Sequence, residues 1–352
     1  MKRERVQYID IIRLFACVCI LVVHFNAQVS GYSYYGTFYY PNSLTPNWYL
    51  GAYLGDIGVS LFFMISGASL MLSNESTPLK VFYRKRFFNI YPAYWIAFCV
   101  ASLLSFFVFR RIPTGKPYYL VFSILGLDGY LGSLGFPFGS FYQVGEWFLG
   151  CIILLYLVWP LLREGIKRAP VTTWVVSLAV CLYFSTKSGI WFFVRFPELL
   201  FGMSVVKFQW NKRPMLLVLS TFSSALVGYL LYQKGLVWSF LWTVAFCAFL
   251  FSVLLVVSQC IKNKRVQTLL TKFSGLTYPL FLVHHWIIIK LVSFFDLSNF
   301  TYRNTVLLFV LYILLIVPTA FVLKKLGDRF TRILKGKAPD SAASSANSVK
   351  TN

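Results

Sequence analysis

Arg13 and His24 lie in one membrane-length apolar stretch, Ile9 to Val29. An arginine and a histidine are costly there, and membrane proteins keep such residues where they face a cavity or a partner. Eleven positions at 3.6 residues per turn is close to three whole turns. Both side chains therefore leave one face of a helix, roughly 16 Å apart in depth. That geometry suits a ligand threading along the helix, charged at one end and reactive at the other. Histidine exchanges protons near neutral pH, and a carboxylate that orients it makes an acid/base pair. Asp56, Glu146 and His284, with His285 beside it, also fall in or at apolar segments. If the spans alternate in direction, Asp56, Glu146 and His284 reach the same half of the bilayer as His24, and any of the three could be its partner.

The elements that must position these residues are transmembrane helices. The chain is 58% hydrophobic and 12% charged, against about 25% charged residues in soluble domains. Apolar runs near twenty residues recur, so the expected fold class is all-α, a polytopic membrane protein of about ten transmembrane helices. The candidate spans are 8–28, 51–72, 89–109, 144–162, 171–186, 190–208, 215–233, 236–258, 274–293 and 305–324. Lys2, Arg3 and Arg5 look like the start of a signal peptide. The apolar segment that follows is too long, holds Arg13 and His24, and has no clear cleavage site, so it is read as a retained first span.

Positive charge gives the spans a direction. Of the 33 Lys and Arg residues, 24 fall on segments that share a side with the N-terminus and 7 on the opposite side. A bias that alternates loop by loop predicts both termini in the cytoplasm. It also accounts for the net charge of +22 as a rim facing anionic lipid headgroups, with no nucleic-acid partner. In this orientation Arg13 is near the cytoplasmic side and His24 near the outer side. The seven cysteines form no Cys-x-x-Cys pattern and no cluster with histidine, so neither a metal site nor a disulfide framework is expected. The Ser-, Ala- and Asn-rich tail, 336–352, reads as disordered. Loops 29–50 and 110–143 are aromatic and polar, as suits a surface that handles carbohydrate or a lipid-linked substrate, or one anchored at the interface.

Arg84, Lys85 and Arg86 precede the third span and could hold the phosphates of a cytosolic donor, or be an ordinary positive-inside cluster. Arg195 and Glu198, three residues apart on one helix, read as an internal ion pair. Ser66, in Phe-Met-Ile-Ser-Gly67, has no base nearby in sequence, and Ser-Gly suits close helix packing. The chain contains no P-loop, dinucleotide glycine pattern, His-Glu-x-x-His or Gly-x-Ser-x-Gly.

Five stretches in order resemble the acyltransferase 3 family, integral-membrane enzymes that O-acylate bacterial cell-surface glycans and antibiotics. They are Tyr8 to Arg13 followed by His24 (Arg-x10-His), Val59 to Gly67, Arg84 to Trp95, Glu146-Trp-Phe-Leu149 with Tyr156 and Pro160, and Thr277 to His284. The resemblance covers about 8–325 and implies a membrane domain over 1–335. It further implies a bacterial cytoplasmic-membrane enzyme with no bound cofactor. An acyl-CoA, expected to be acetyl-CoA, would enter from the cytoplasm with its phosphates on Arg13 and the Arg84–Arg86 cluster. His24 would activate a hydroxyl of an extracytoplasmic saccharide, or relay the acyl group. Where the family often has a second arginine before its Pro-x-Tyr element, this chain has Asn89, which either shifts weight onto Arg84 and Lys85 or points to a donor other than standard acetyl-CoA. The rival expectation is an exporter of a lipid-linked saccharide, with Arg13 and His24 lining its path.

Overall fold

The computed structural model describes residues 7–30, 43–108, 110, 115–138, 141–187, 190–297 and 300–336. Thirteen α-helices follow one another among these residues: α1 (Gln7–Val29), α2 (Leu54–Asn74), α3 (Leu79–Phe107), α4 (Leu120–Ile124), α5 (Asp128–Ser133), α6 (Glu146–Arg168), α7 (Pro170–Ser185), α8 (Phe196–Lys207), α9 (Pro214–Gln233), α10 (Ser239–Cys260), α11 (Lys264–Ser274), α12 (Thr277–Val292) and α13 (Tyr302–Leu334). A two-residue hairpin, β1 (Trp48–Tyr49) and β2 (Ala52–Tyr53), precedes α2. Its turn has positive φ at both Leu50 (51°) and Gly51 (80°), the backbone of a tight hairpin turn. The indole of Trp242 donates to the Leu50 carbonyl (3.0 Å) and ties the turn to α10.

The protein is helical and multi-pass, but the helix count by length differs from ten. Seven helices are long and apolar enough to cross a membrane: α1, α2, α3, α6, α9, α10 and α13. The pair α11 and α12, bent by 53° at a short break, makes an eighth if taken as one span. The segments read as spans at 171–186 and 190–208 are α7, of 16 residues, and a 3₁₀ turn over 192–195 leading into α8, of 12. At 1.5 Å per residue these helices fall short of a bilayer core of about 30 Å. α8 is apolar for another reason: all but its last two residues are buried inside the bundle. The tail after Gly336 lies outside the described residues.

With little hydrophobic drive between helices in lipid, close backbone approach at small residues holds such bundles together. α2 and α8 run parallel and touch backbone to backbone. A Cβ at Gly202 would overlap the Met64 carbonyl, and one at Gly67 the Leu199 carbonyl. Ser66 beside it spends its hydroxyl on the Phe62 carbonyl of its own helix (2.8 Å), in keeping with a packing role for Ser-Gly.

Polar ties mark one end of the bundle. Asp10 accepts hydrogen bonds from Thr271 (3.0 Å) and Ser274 (2.6 Å). Arg13 donates to Ser274 (3.3 Å) and Ser69 (3.5 Å). Arg163 donates to the carbonyls of Asn74 (3.3 Å) and Thr77 (3.0 Å), and Lys207 pairs with Glu75 (3.3 Å). The start of α1, the ends of α2, α6 and α8, and the α11–α12 bend thus share the Arg13 end, and His24 lies toward the other. Gly202→Val is expected to destabilise the protein by about 3 kcal/mol, through overpacking at backbone contact, seen as a lower thermal midpoint in detergent. Gly228→Ala, whose new methyl would meet nothing nearer than 3.6 Å, is expected to leave that midpoint in place; equal midpoints for both variants would contradict the packing described.

Candidate functional site

α1 carries His24 three turns above Arg13 and turns it into the bundle. Its ring meets the first residue of α6: His24 Nε2 lies 3.2 Å from Glu146 Oε2. α12, packed beside α1, adds two more rings. His285 Nδ1 is 2.9 Å and His284 Nε2 3.4 Å from Glu146 Oε1. The His24 ring lies 5.0 Å from that of His284, edge to face, and 4.8 Å from that of His285. One carboxylate, 10% exposed, therefore sits among all three histidines of the chain.

The backbone is arranged to put Glu146 there. Gly145 has φ of 102° and Glu146 itself 42°. The left-handed region is open to glycine but strained for glutamate. The Glu146 N–H donates to the Tyr142 hydroxyl (3.2 Å), which holds the strained turn. A Cβ at Gly129 would press on the Glu146 carbonyl and the Tyr142 ring, so α5 can seat against the start of α6 only with glycine at that position.

A cavity of about 550 Å³ opens from this cluster. His24, His285, Glu146 and Asp56 line it from the helices, and Asp128, Gly129 and Tyr142 from the segment before α6. Asp128 is buried; it accepts from the Gly129 N–H (2.8 Å) through Oδ1, while Oδ2 has no hydrogen-bond partner. Burial pushes its carboxyl above the usual range, against the pull of its hydrogen bonds. Burial, and then the charge of Glu146, raise the Tyr142 phenol well above its ordinary value. Both groups are thus held toward their protonated forms, in which they can donate a hydrogen bond to an oxygen in the cavity.

Of the residues singled out from sequence, His24, Glu146 and His284 come together. Asp56 shares the cavity wall, but its charge interacts with Arg195 rather than completing the histidine cluster. Arg195 and Glu198 form the expected ion pair (3.1 Å), fully inside the bundle. Glu198 also accepts from Ser60 (2.5 Å), and the Arg195 guanidinium lies over Trp147 (5.5 Å), the neighbour of Glu146.

The residues expected to hold a donor are apart from this cavity. Arg13 is 28% exposed at the far end of α1. Arg84 and Lys85 are exposed at the start of α3, and the Arg86 guanidinium lies over Phe82 and Tyr156 (5.7 and 5.6 Å). The sequence points to His285 only as the neighbour of His284, and Asp128 and Asn26 do not stand out in it. Asn26, fully buried two residues after His24, donates to the Thr45 carbonyl (3.0 Å) and Asn47 (2.8 Å) and accepts from the Leu44 N–H (3.0 Å). It fastens the chain before β1 over the His24 end. An asparagine in an apolar run two residues after a membrane histidine is the signal for it; Asp128 carries none, since its burial depends on how a loop folds.

Over 142 residues, or 38% of its length, the chain is 29% identical to acyltransferase MdmB of Streptomyces mycarofaciens. The match spans 36% of that relative's own length. No solved structure matches the chain. Residues 6–325, which include the whole histidine cluster and both ends of α1, match the family described as an acyltransferase domain, and the protein belongs to this acyltransferase 3 family of membrane enzymes.

Proposed function

We propose that the protein transfers an acyl group, an acetyl group in the first instance, from cytosolic acyl-CoA to a hydroxyl of an extracytoplasmic saccharide in the bacterial cell envelope. The observation that carries this reading is the His24–Glu146 pair, 3.2 Å apart at the wall of a 550 Å³ cavity. With Glu146 orienting the ring, His24 takes the proton of the acceptor hydroxyl as its oxygen attacks the thioester carbonyl. The new ester C–O bond forms, the C–S bond breaks, and the proton on His24 passes to the departing CoA thiolate. Tyr142, which keeps its phenol proton, and Asp128 hydrogen-bond groups of the sugar. The cavity has one carboxylate-oriented base and several hydrogen-bonding groups on a largely aromatic and apolar wall, which fits a saccharide ring.

At the other end of α1, Arg13 and the exposed Arg84 and Lys85 offer charge-assisted hydrogen bonds to the donor's phosphates. The separation of these cations from the cavity supports a donor that reaches through the bundle from the cytoplasmic side, with both protein termini on that side. The family match favours transfer over export of a lipid-linked saccharide.

His24→Ala is expected to lower acyl transfer by about 10²–10⁴-fold, the usual worth of a general base, in an assay of acyl-CoA consumption by purified protein with glycan acceptor. Full activity in this variant would exclude the mechanism. Glu146→Gln keeps the shape but removes the charge, and it should both slow transfer and move the pH–rate profile. A slower enzyme with an unmoved profile would exclude Glu146 as the partner of His24. Mass spectrometry of surface glycans with and without the gene should show a fixed acyl mass difference, and identical spectra would count against a surface-glycan acceptor.

A further inference from the structure

The histidine cluster has a feature that acid/base chemistry does not use. His284 Nδ1 lies 2.8 Å from the Phe281 carbonyl oxygen. A carbonyl only accepts, so Nδ1 carries the proton and donates. In the neutral ring the lone pair is then on Nε2. That atom is fully buried, has no hydrogen-bond partner, and faces Glu146 Oε1 at 3.4 Å. Two electron-rich atoms facing each other away from water call for a cation between them.

The surroundings suit a metal ion in particular. Ligand atoms of His24, Glu146 and His284 all lie within 4.8 Å of one another. In tetrahedral zinc sites they are about 3.3 Å apart, so side-chain rotation without backbone movement closes the gap. Two imidazoles and a carboxylate are a donor set for zinc and similar transition ions rather than for magnesium or calcium. A histidine whose second nitrogen donates to a backbone carbonyl is the orientation that metal ligands favour. His285 Nδ1, 2.9 Å from Glu146 Oε1, would be the outer partner of the ligating carboxylate. The cavity onto which His24 and Glu146 open gives the ion a route in and leaves a fourth coordination position free.

We propose that His24, Glu146 and His284 form a binding site for Zn²⁺, and that the bound ion halts acyl transfer. The inhibitory half rests on the proposed role of His24. The ion takes His24 Nε2, the nitrogen that faces Glu146, so the ring's proton moves to Nδ1, which can then no longer receive the acceptor's proton. The binding half rests on geometry alone.

The test uses the purified full-length protein in detergent, dialysed against Zn²⁺ alone, with Co²⁺ as a spectroscopic substitute. One Zn²⁺ per chain at micromolar concentration is expected, with Co²⁺ giving the visible absorption of a tetrahedral site. His284→Ala should weaken binding by more than about 100-fold and His285→Gln by about 10–100-fold, the cost of losing an outer partner. Should His284→Ala fail to fold, Glu146→Gln provides the same loss of a ligand with the side-chain shape kept. Binding that is unchanged in a folded ligand variant, or absent below millimolar Zn²⁺, overturns the site. In the acyl-transfer assay Zn²⁺ should inhibit at the concentration at which it binds, and a chelator should restore turnover. Turnover that ignores bound Zn²⁺, or that a chelator abolishes, overturns the inhibition. Stoichiometric Zn²⁺ binding by a protein that transfers no acyl group would count against the proposed function and not against the metal site.

Discussion

A carboxylate enclosed by apolar helices has to be paired, because burying an isolated charge costs more than most folds can absorb. Glu146 meets that constraint with rings from two other helices, and much of the architecture follows from it. α1 and α12 must pack side by side so that His24, His284 and His285 reach one point. α6 must begin at the depth of His24, which requires the left-handed turn at Gly145 and Glu146 and the glycine at position 129 that lets α5 come close. The fully buried Arg195–Glu198 pair, in which Glu198 also accepts from Ser60, lies against Trp147, the neighbour of Glu146.

The polar groups thus fall into layers along α1. Asp10 and Arg13 are satisfied by Ser69, Thr271 and Ser274 at one end. His24 and Glu146 form the second layer, and Asn26 with its loop partners closes the far end. The packed rows of α1 between these layers are apolar: Ala16, Cys17, Ile20 and Leu21 are all buried. Polar groups at separated depths along one helix fit the proposed arrival of donor and acceptor from opposite sides.

Much of this was legible in the residues themselves. Arg13 and His24 stand out because a charged or titratable residue in an apolar run is costly, and because their spacing is three helical turns. The choice of Glu146 over Asp56 was not legible, since both carboxylates are expected in the same half of the bilayer and only where the first residue of α6 meets His24 separates them. His285 was overshadowed by His284 for a related reason. Adjacent residues leave a helix about 100° apart, and which of them meets a third helix depends on that helix's rotation. Both do here, one fully buried and one on the cavity. The count of ten spans exceeded the seven or eight long helices because apolar composition reports burial in protein as readily as burial in lipid. α8 is the clear instance, a short helix enclosed by its neighbours and in backbone contact with α2.

In the proposed reaction the two ends of α1 serve the two substrates from opposite sides of the membrane. Protein reconstituted in vesicles of one orientation tests this directly, with radiolabelled acyl-CoA confined to one side and the glycan acceptor to the other. Labelled glycan is expected when acyl-CoA is on the side of the Arg13 end and acceptor on the side of the His24 end, and none when the two are exchanged. Equal labelling in both arrangements, or labelling only when both substrates share one side, would contradict it.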